Sequence, residues 1–105
     1  MKPFTSKVIS IIQSIPEGYV MTYGQIAKEA GSPRAARQVV RILHSMSRKH
    51  ALPWHRVINS KGEIAIKDEA LNYDQMMMLE EEGVKFLSEK KVDLETCLYE
   101  PNKKA

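Results

Sequence analysis

Few side chains in this sequence are able to do chemistry, and their spacing narrows what that chemistry could be. Halfway along the chain, His55 stands between Trp54 and Arg56 in Pro53-Trp54-His55-Arg56-Val57, with β-branched Val57 and Ile58 behind it. An imidazole so placed can move a proton or act as a hydrogen-bonded brace. Trp54 cannot attack an electrophile, because the indole nitrogen's electron pair belongs to the ring and its N–H only donates. The one sulfur that could, Cys97, lies far downstream, and a lone cysteine is more often an inert small hydrophobe. His44, His50 and His55 have no cysteine nearby and no zinc-type spacing, so no metal site and no cofactor are expected. From these residues alone, the stretch reads as the start of a buried strand. A core tryptophan beside a satisfied histidine explains it as well as a working site does.

The arginines are the second group. Arg34, Arg37, Arg41, His44 and Arg48 recur at spacings of three and four, and no acidic residue lies between Gly31 and Lys61. Ala36, Val39, Val40 and Leu43 recur at i, i+3, i+4 and i+7 on the opposite side, so the segment predicts a helix with one apolar and one basic face. A solvated basic face would look the same. What favours phosphate binding is the segment before it. Thr22-Tyr23-Gly24-Gln25 fits a capping box, and the short helix it opens ends at Ala30 with Gly31 after it. Ser32 and Pro33 then read as N-cap and first residue of the basic helix. Two helices joined by a tight glycine-containing turn predict a helix-turn-helix. The small residues Ala35 and Ala36 would let its second helix approach a groove closely.

The remaining elements must carry this pair. Val8, Ile9, Ile11, Ile12 and Ile15 predict a scaffold helix from about Thr5, stopped by Pro16-Glu17-Gly18. Tyr19–Met21 reads as an extended link. After Trp54 the pattern predicts a turn at Asn59–Gly62 and a short strand, Glu63–Ile66, pairing back on Val57–Ile58. A loop, Lys67–Ala70, and a helix from Leu71 to Glu82 ended by Gly83 follow. The Met76-Met77-Met78 run reads as adaptable core. Residues 84–99 have apolar positions without a firm period, and residues 100–105 read as a disordered tail.

With 105 residues, 43% of them hydrophobic and 28% charged, the chain suits one domain, 1–105, with a single core. Its formal charge of +3 permits nucleic acid without requiring it. A single cysteine suits a reducing compartment, and no apolar run approaches the roughly 20 residues that span a bilayer. A soluble intracellular monomer with no membrane partner is expected.

Taken together, Tyr-Gly-Gln-Ile-Ala at 23–27, Ser-Pro-Arg-Ala-Ala-Arg-Gln-Val at 32–39 and Pro-Trp-His-Arg-Val at 53–57 resemble the DNA-binding domain of the O6-alkylguanine-DNA alkyltransferases. The likeness runs from about Phe4 to Gly83. That family's motif is Pro-Cys-His-Arg-Val, and Trp54 stands where its alkyl-accepting cysteine would be, so the chain is more similar to the alkyltransferase-like proteins. The resemblance implies a mainly helical α/β domain with a winged-helix-like helix-turn-helix and a short β-hairpin. It implies that Tyr23 presses on a phosphate to rotate a nucleotide outward and that Arg37 enters the base stack in its place. Arg34, Ala36 and Arg41 would meet the DNA backbone, while Tyr23, Trp54 and Lys67 would line the lesion pocket. His55 and Glu82 match the family's base and its orienting carboxylate, here a vestigial pair without a thiol to deprotonate. Lys67 and Asp68 fall where the transferases place a tyrosine and a serine, and no asparagine lies between Arg37 and Trp54 to brace the turn.

The function so implied is a non-enzymatic sensor of O6-alkylguanine in double-stranded DNA. It would bind the minor groove, flip the base and mark it for nucleotide excision repair proteins, in the cytoplasm and on the nucleoid. Two alternatives stand beside it: an active alkyltransferase using Cys97, and a sequence-specific helix-turn-helix regulator.

Overall fold

Helix α1, Pro3–Gln13, begins with proline at its first turn, where the missing N–H costs nothing. For that reason it starts two residues ahead of the Thr5 suggested by apolar spacing. Val8, Ile9 and Ile12 point inward, and Ile15 follows them into the core after the helix has ended. The computed structural model describes residues 1–101; of the expected tail, 102–105 lie outside the described residues.

Strand β1, Met21–Thr22, runs parallel to β2, Val57–Ile58, with Met21 opposite Val57. This corrects the expected pairing of Glu63–Ile66 with β2. Asn59 Oδ1 accepts from the amides of Lys61 at 3.0 Å and Glu63 at 2.9 Å, and this turn sends the chain away from β2. Ile64 instead donates to Lys90 O at 2.9 Å. Asn72 holds the stretch from the other side through Nδ2, bonding Ile64 O and Ile66 O at 3.2 and 3.0 Å. The antiparallel hairpin is built from β3, Phe86–Ser88, and β4, Lys91–Val92, in the segment whose apolar residues showed no period.

Helix α2, Tyr23–Glu29, starts at the expected capping box: Gln25 N–H donates to Thr22 Oγ1 at 3.1 Å and Thr22 N–H to Gln25 Oε1 at 3.2 Å. Helix α3, Ala36–Met46, starts three residues later than Pro33. Ser32 does not cap it. The amide of Ser32 closes the end of α2 by bonding Ala27 O at 2.9 Å, with Gly31 left-handed at φ +97°. Ser32 to Ala35 is then a separate turn, closed by the Ala35 amide on Ser32 O at 2.9 Å. Arg34 therefore lies on this turn and Arg48 beyond the helix end, rather than on the helix itself. The buried face is Val39, Ile42 and Leu43, while Ala36 and Val40 are half-buried.

Beyond α3 the chain coils on through Ser47–His50 and ends as α2 does: Leu52 N–H bonds Ser47 O at 2.8 Å and Ala51 N–H bonds Arg48 O at 3.3 Å. Here the left-handed position is filled by Ala51, at φ +49°. Its Cβ crowds the following carbonyl, a strain that glycine would not feel.

Helix α4, Glu69–Glu81, starts two residues before Leu71 because Asp68 caps it, accepting from the Leu71 amide at 3.0 Å. Leu79 and Gln75 are its buried residues; Met76 packs on the core, and Met77 and Met78 are half-buried. A last short helix, α5, Leu94–Cys97, leads back to the front of the molecule. There Val20 N–H bonds Cys97 O, and Tyr99 N–H bonds Val20 O, both at 2.8 Å. Gln25 Nε2 also donates to Tyr99 O, so the C-terminal segment is tied to the first turn of α2.

Two apolar clusters result. One lies under α1, α2 and α3; the other joins Val20, Ile58, Ile64, Leu79 and Val84 beneath α4 and the hairpin. No helix among the described residues is long and apolar enough to cross a membrane. Replacing Ala51 with glycine should raise stability by about 0.5–1 kcal/mol, relief of left-handed strain outweighing the added freedom of the unfolded chain. Urea unfolding of the Ala51→Gly variant checks this, and a lower midpoint would contradict it.

Candidate nucleic-acid interface

The Pro53–Val57 stretch does not enter a strand directly. Trp54–Arg56 forms one turn of 3-10 helix, and only Val57 begins β2. The cause is a contest for Arg56 and His55. As a strand, their side chains would point to opposite faces; coiled, they both reach Glu82 at the C-terminal end of α4. His55 Nε2 lies 2.7 Å from Glu82 Oε2. Arg56 donates from Nε to Oε1 at 2.9 Å and from Nη2 to Oε2 at 2.7 Å, a two-pronged grip on one carboxylate. Its remaining prong, Nη1, bonds Ile15 O at 2.8 Å and so ties the turn to the end of α1.

Burial alone would raise the Glu82 pKa, but the hydrogen bonds from Arg56 and His55 outweigh it and hold the carboxyl at about 2. The hydrogen bond to Glu82 raises Arg56 in turn, against the opposing effect of its burial. His55 is only 6% exposed, and its Nδ1 has no hydrogen-bond partner among the described residues. The half-buried indole of Trp54 stands edge-on to the His55 ring, centroids 6.2 Å apart.

A further residue holds the turn that sequence reasoning passed over. Gln75, 2% exposed, donates from Nε2 to His55 O at 3.1 Å and to Val57 O at 3.0 Å. The signal was present: Gln75, Leu79 and Glu82 fall at i, i+4 and i+7, one inward stripe with polar ends.

Arg34, Arg37 and Arg41 are exposed and, with Ser32, Pro33, Ala35 and Gln38, line an open groove of about 820 Å³. No side chain caps the first amides of α3, which leaves that helix start facing the groove with its partial positive charge. His44 and Arg48 are exposed outside the groove lining, and Ala36 is half-buried beside it. Tyr23 opens α2, half-buried on the same apolar cluster that Trp54 packs against, and burial pushes its hydroxyl pKa up. Neither Tyr23, Trp54 nor Lys67 lines the groove; Lys67 is exposed just before the Asp68 cap. Cys97 is 5% exposed in the second apolar cluster, its sulfur accepting from the Lys85 amide at 3.3 Å. Among the described residues no group of three His, Cys, Asp or Glu could hold a metal ion.

An arginine-lined helix-turn-helix start beside a rigidly anchored aromatic turn defines a DNA-binding domain. Residues 3–84 match the family model for the 6-O-methylguanine DNA methyltransferase DNA-binding domain, and the chain belongs to that family, among its alkyltransferase-like members. It is 45% identical over 92 residues to an Escherichia coli DNA base-flipping protein, covering 88% of this chain and 70% of that one. It is 41% identical over 106 residues to alkyltransferase-like protein 1 of Schizosaccharomyces pombe, covering 96% and 98%. The crystal structure of an S. pombe protein in complex with damaged DNA containing O6-carboxymethylguanine superposes with a TM-score of 0.81 at 39% identity, covering 96% of this chain and 98% of that one.

Because Glu82 titrates near 2 when folded and near 4.5 otherwise, its contribution to stability is complete above about pH 4.5 and is lost as pH falls toward 2. Unfolding midpoints measured across that window should fall with pH. Glu82→Gln should flatten that dependence and cost about 2 kcal/mol at neutral pH, since the Arg56 charge keeps its burial and loses its counter-charge.

Proposed function

We propose that the protein is a non-enzymatic sensor of O6-alkylguanine in duplex DNA. The observation that carries this reading is Trp54, an indole on a turn fixed by Glu82 and Gln75, at the position where the resembling transferases have their cysteine. Alkyl transfer from a guanine oxygen needs a thiolate to attack the alkyl carbon. Trp54 offers none, and the only thiol, Cys97, is enclosed in the other apolar cluster. The His55–Glu82 pair then has no thiol to deprotonate and serves as a brace. The damaged DNA in the S. pombe structure and the naming of the E. coli relative for base flipping support the same reading.

The family resemblance supports the following division of roles among the side chains. Arg34 and Arg41 meet phosphates, giving salt-dependent affinity that does not read sequence. Tyr23, held on the apolar cluster, presses the backbone so that the damaged nucleotide rotates out. Arg37 enters the vacated stack, where a planar guanidinium can lie between bases and hydrogen-bond the orphaned partner. Trp54 forms a wall for the extruded base, and Lys67 supplies a cation at the pocket's rim. Extrusion costs a few kcal/mol, less for a weakened pair, and this difference is one source of lesion selectivity. Entry from the minor groove bends the duplex, and the lasting bent complex marks the site for nucleotide excision repair. The protein works as a monomer in the cytoplasm, on the nucleoid when DNA-bound, without a cofactor.

Competition between matched duplexes with and without a single O6-methylguanine should favour the lesion; equal affinity would sink the reading. Intact mass after incubation with that duplex should be unchanged, whereas an added methyl would identify an active transferase. Arg37→Ala should weaken lesion binding by roughly 1–3 kcal/mol. Arg34→Ala and Arg41→Ala should weaken damaged and undamaged DNA alike and make the salt dependence shallower, read by fluorescence anisotropy at several salt concentrations.

A further inference from the structure

Helix α4 turns two polar side chains toward the Trp54–Arg56 turn, and they hold different parts of it. Glu82 grips the side chains of His55 and Arg56. Gln75, two turns earlier on the same face, grips the main chain, with one amide nitrogen bonded to His55 O at 3.1 Å and Val57 O at 3.0 Å. Rotatable bonds separate the His55 and Arg56 side-chain ends from the peptide path. The two carbonyls that Gln75 holds belong to that path and straddle Arg56. A half-buried indole on a three-residue turn takes its orientation from the turn. We propose that Gln75 is the positioning residue for lesion recognition, fixing the peptide path that aims Trp54; this rests on Trp54 being a wall of the lesion pocket.

The chemistry at this point admits few substitutes. Both carbonyls face a buried side chain, and a buried acceptor left unpaired costs more than the bond it loses. A carboxamide offers two protons from one nitrogen, whereas a glutamate of the same shape would present oxygen to oxygen. Its 2% exposure leaves no water to take over either bond from outside. Nor can Glu82 compensate, because its ionised carboxylate only accepts hydrogen bonds and has no proton to give a carbonyl.

Trp54 is the only tryptophan in the chain, so its fluorescence reports on this turn alone. Gln75→Met keeps the length of the side chain and removes both donors. In the folded variant the anisotropy decay of Trp54 should gain a fast component. Its preference for an O6-methylguanine duplex over the matched undamaged one should fall roughly tenfold. Affinity for the undamaged duplex should stay within about twofold of the unmutated protein, as for a change away from the groove. An unchanged preference with unchanged Trp54 decay overturns the proposal. So does an equal loss for both duplexes, which would make Gln75 a folding residue only. Should the variant fail to fold, exchange of the Gln75 side-chain amide protons in the unmutated protein decides: protection is expected, and exchange at the rate of a free carboxamide overturns the assignment. The fluorescence and exchange measurements need no lesion, so they judge Gln75 separately from whether the unmutated protein prefers damaged DNA.

Discussion

One carboxylate, Glu82, holds the functional half of this molecule in register. Its oxygens take two bonds from Arg56 and one contact from His55, and Arg56 reaches on to the carbonyl of Ile15. Three distant pieces of chain, the end of α1, the Trp54 turn and the end of α4, are thereby fixed to one another. Partly buried charges are tolerated only when paired and hydrogen-bonded, so the network acts as a unit: removing one member strands the others. It also keeps the carboxyl ionised at any physiological pH, because its two partners hold the proton off down to about 2.

The helix-turn-helix is fixed differently, by backbone bonds and apolar contact. Helices α2 and α3 meet at an angle set by the left-handed end of α2 and the separate Ser32–Ala35 turn. That turn carries Arg34 out of the helix and leaves the first amides of α3 uncapped, so the groove gains a guanidinium and a helix start together. The C-terminal segment closes the arrangement from behind: Tyr99 N–H donates to Val20 O, and Tyr99 O accepts from Gln25, the same glutamine that completes the capping box at Thr22. The first turn of α2, which carries Tyr23, is thereby tied to the C-terminal segment.

Recognition without reaction places its demands on shape. A transferase needs an activated thiolate and can release its grip once the bond has moved. A sensor needs a pocket wall that stays put and a complex that lasts. Trp54 suits the second demand: a large rigid ring, few rotatable bonds, and a turn tied to α4 at the carbonyls of His55 and Val57. Enclosure of Cys97 in the second cluster fits the same division, since sulfur there contributes packing and a bond to the Lys85 amide.

Local pattern was enough for much of this. The capping box at Thr22 and Gln25, the apolar stripe of α1, and the glycine-ended helices were legible because each depends on residues within one or two turns of one another. The motif residues Trp54 and His55, and the arginines of the basic face, were legible for the same reason, while Glu82 could be named only through the family likeness. What the sequence alone could not decide was how segments pair. The strand partner of Val57–Ile58 proved to be Met21–Thr22 rather than Glu63–Ile66, because a side-chain turn at Asn59 redirects the chain. Trp54–Arg56 coils instead of extending, because a carboxylate from α4 rewards the coil. Residues 86–92 form a hairpin, and Gln75 reaches two carbonyls, through contacts that no local period encodes. Periodicity reports which face of an element is apolar; only the packed chain decides which polar groups are left to find one another.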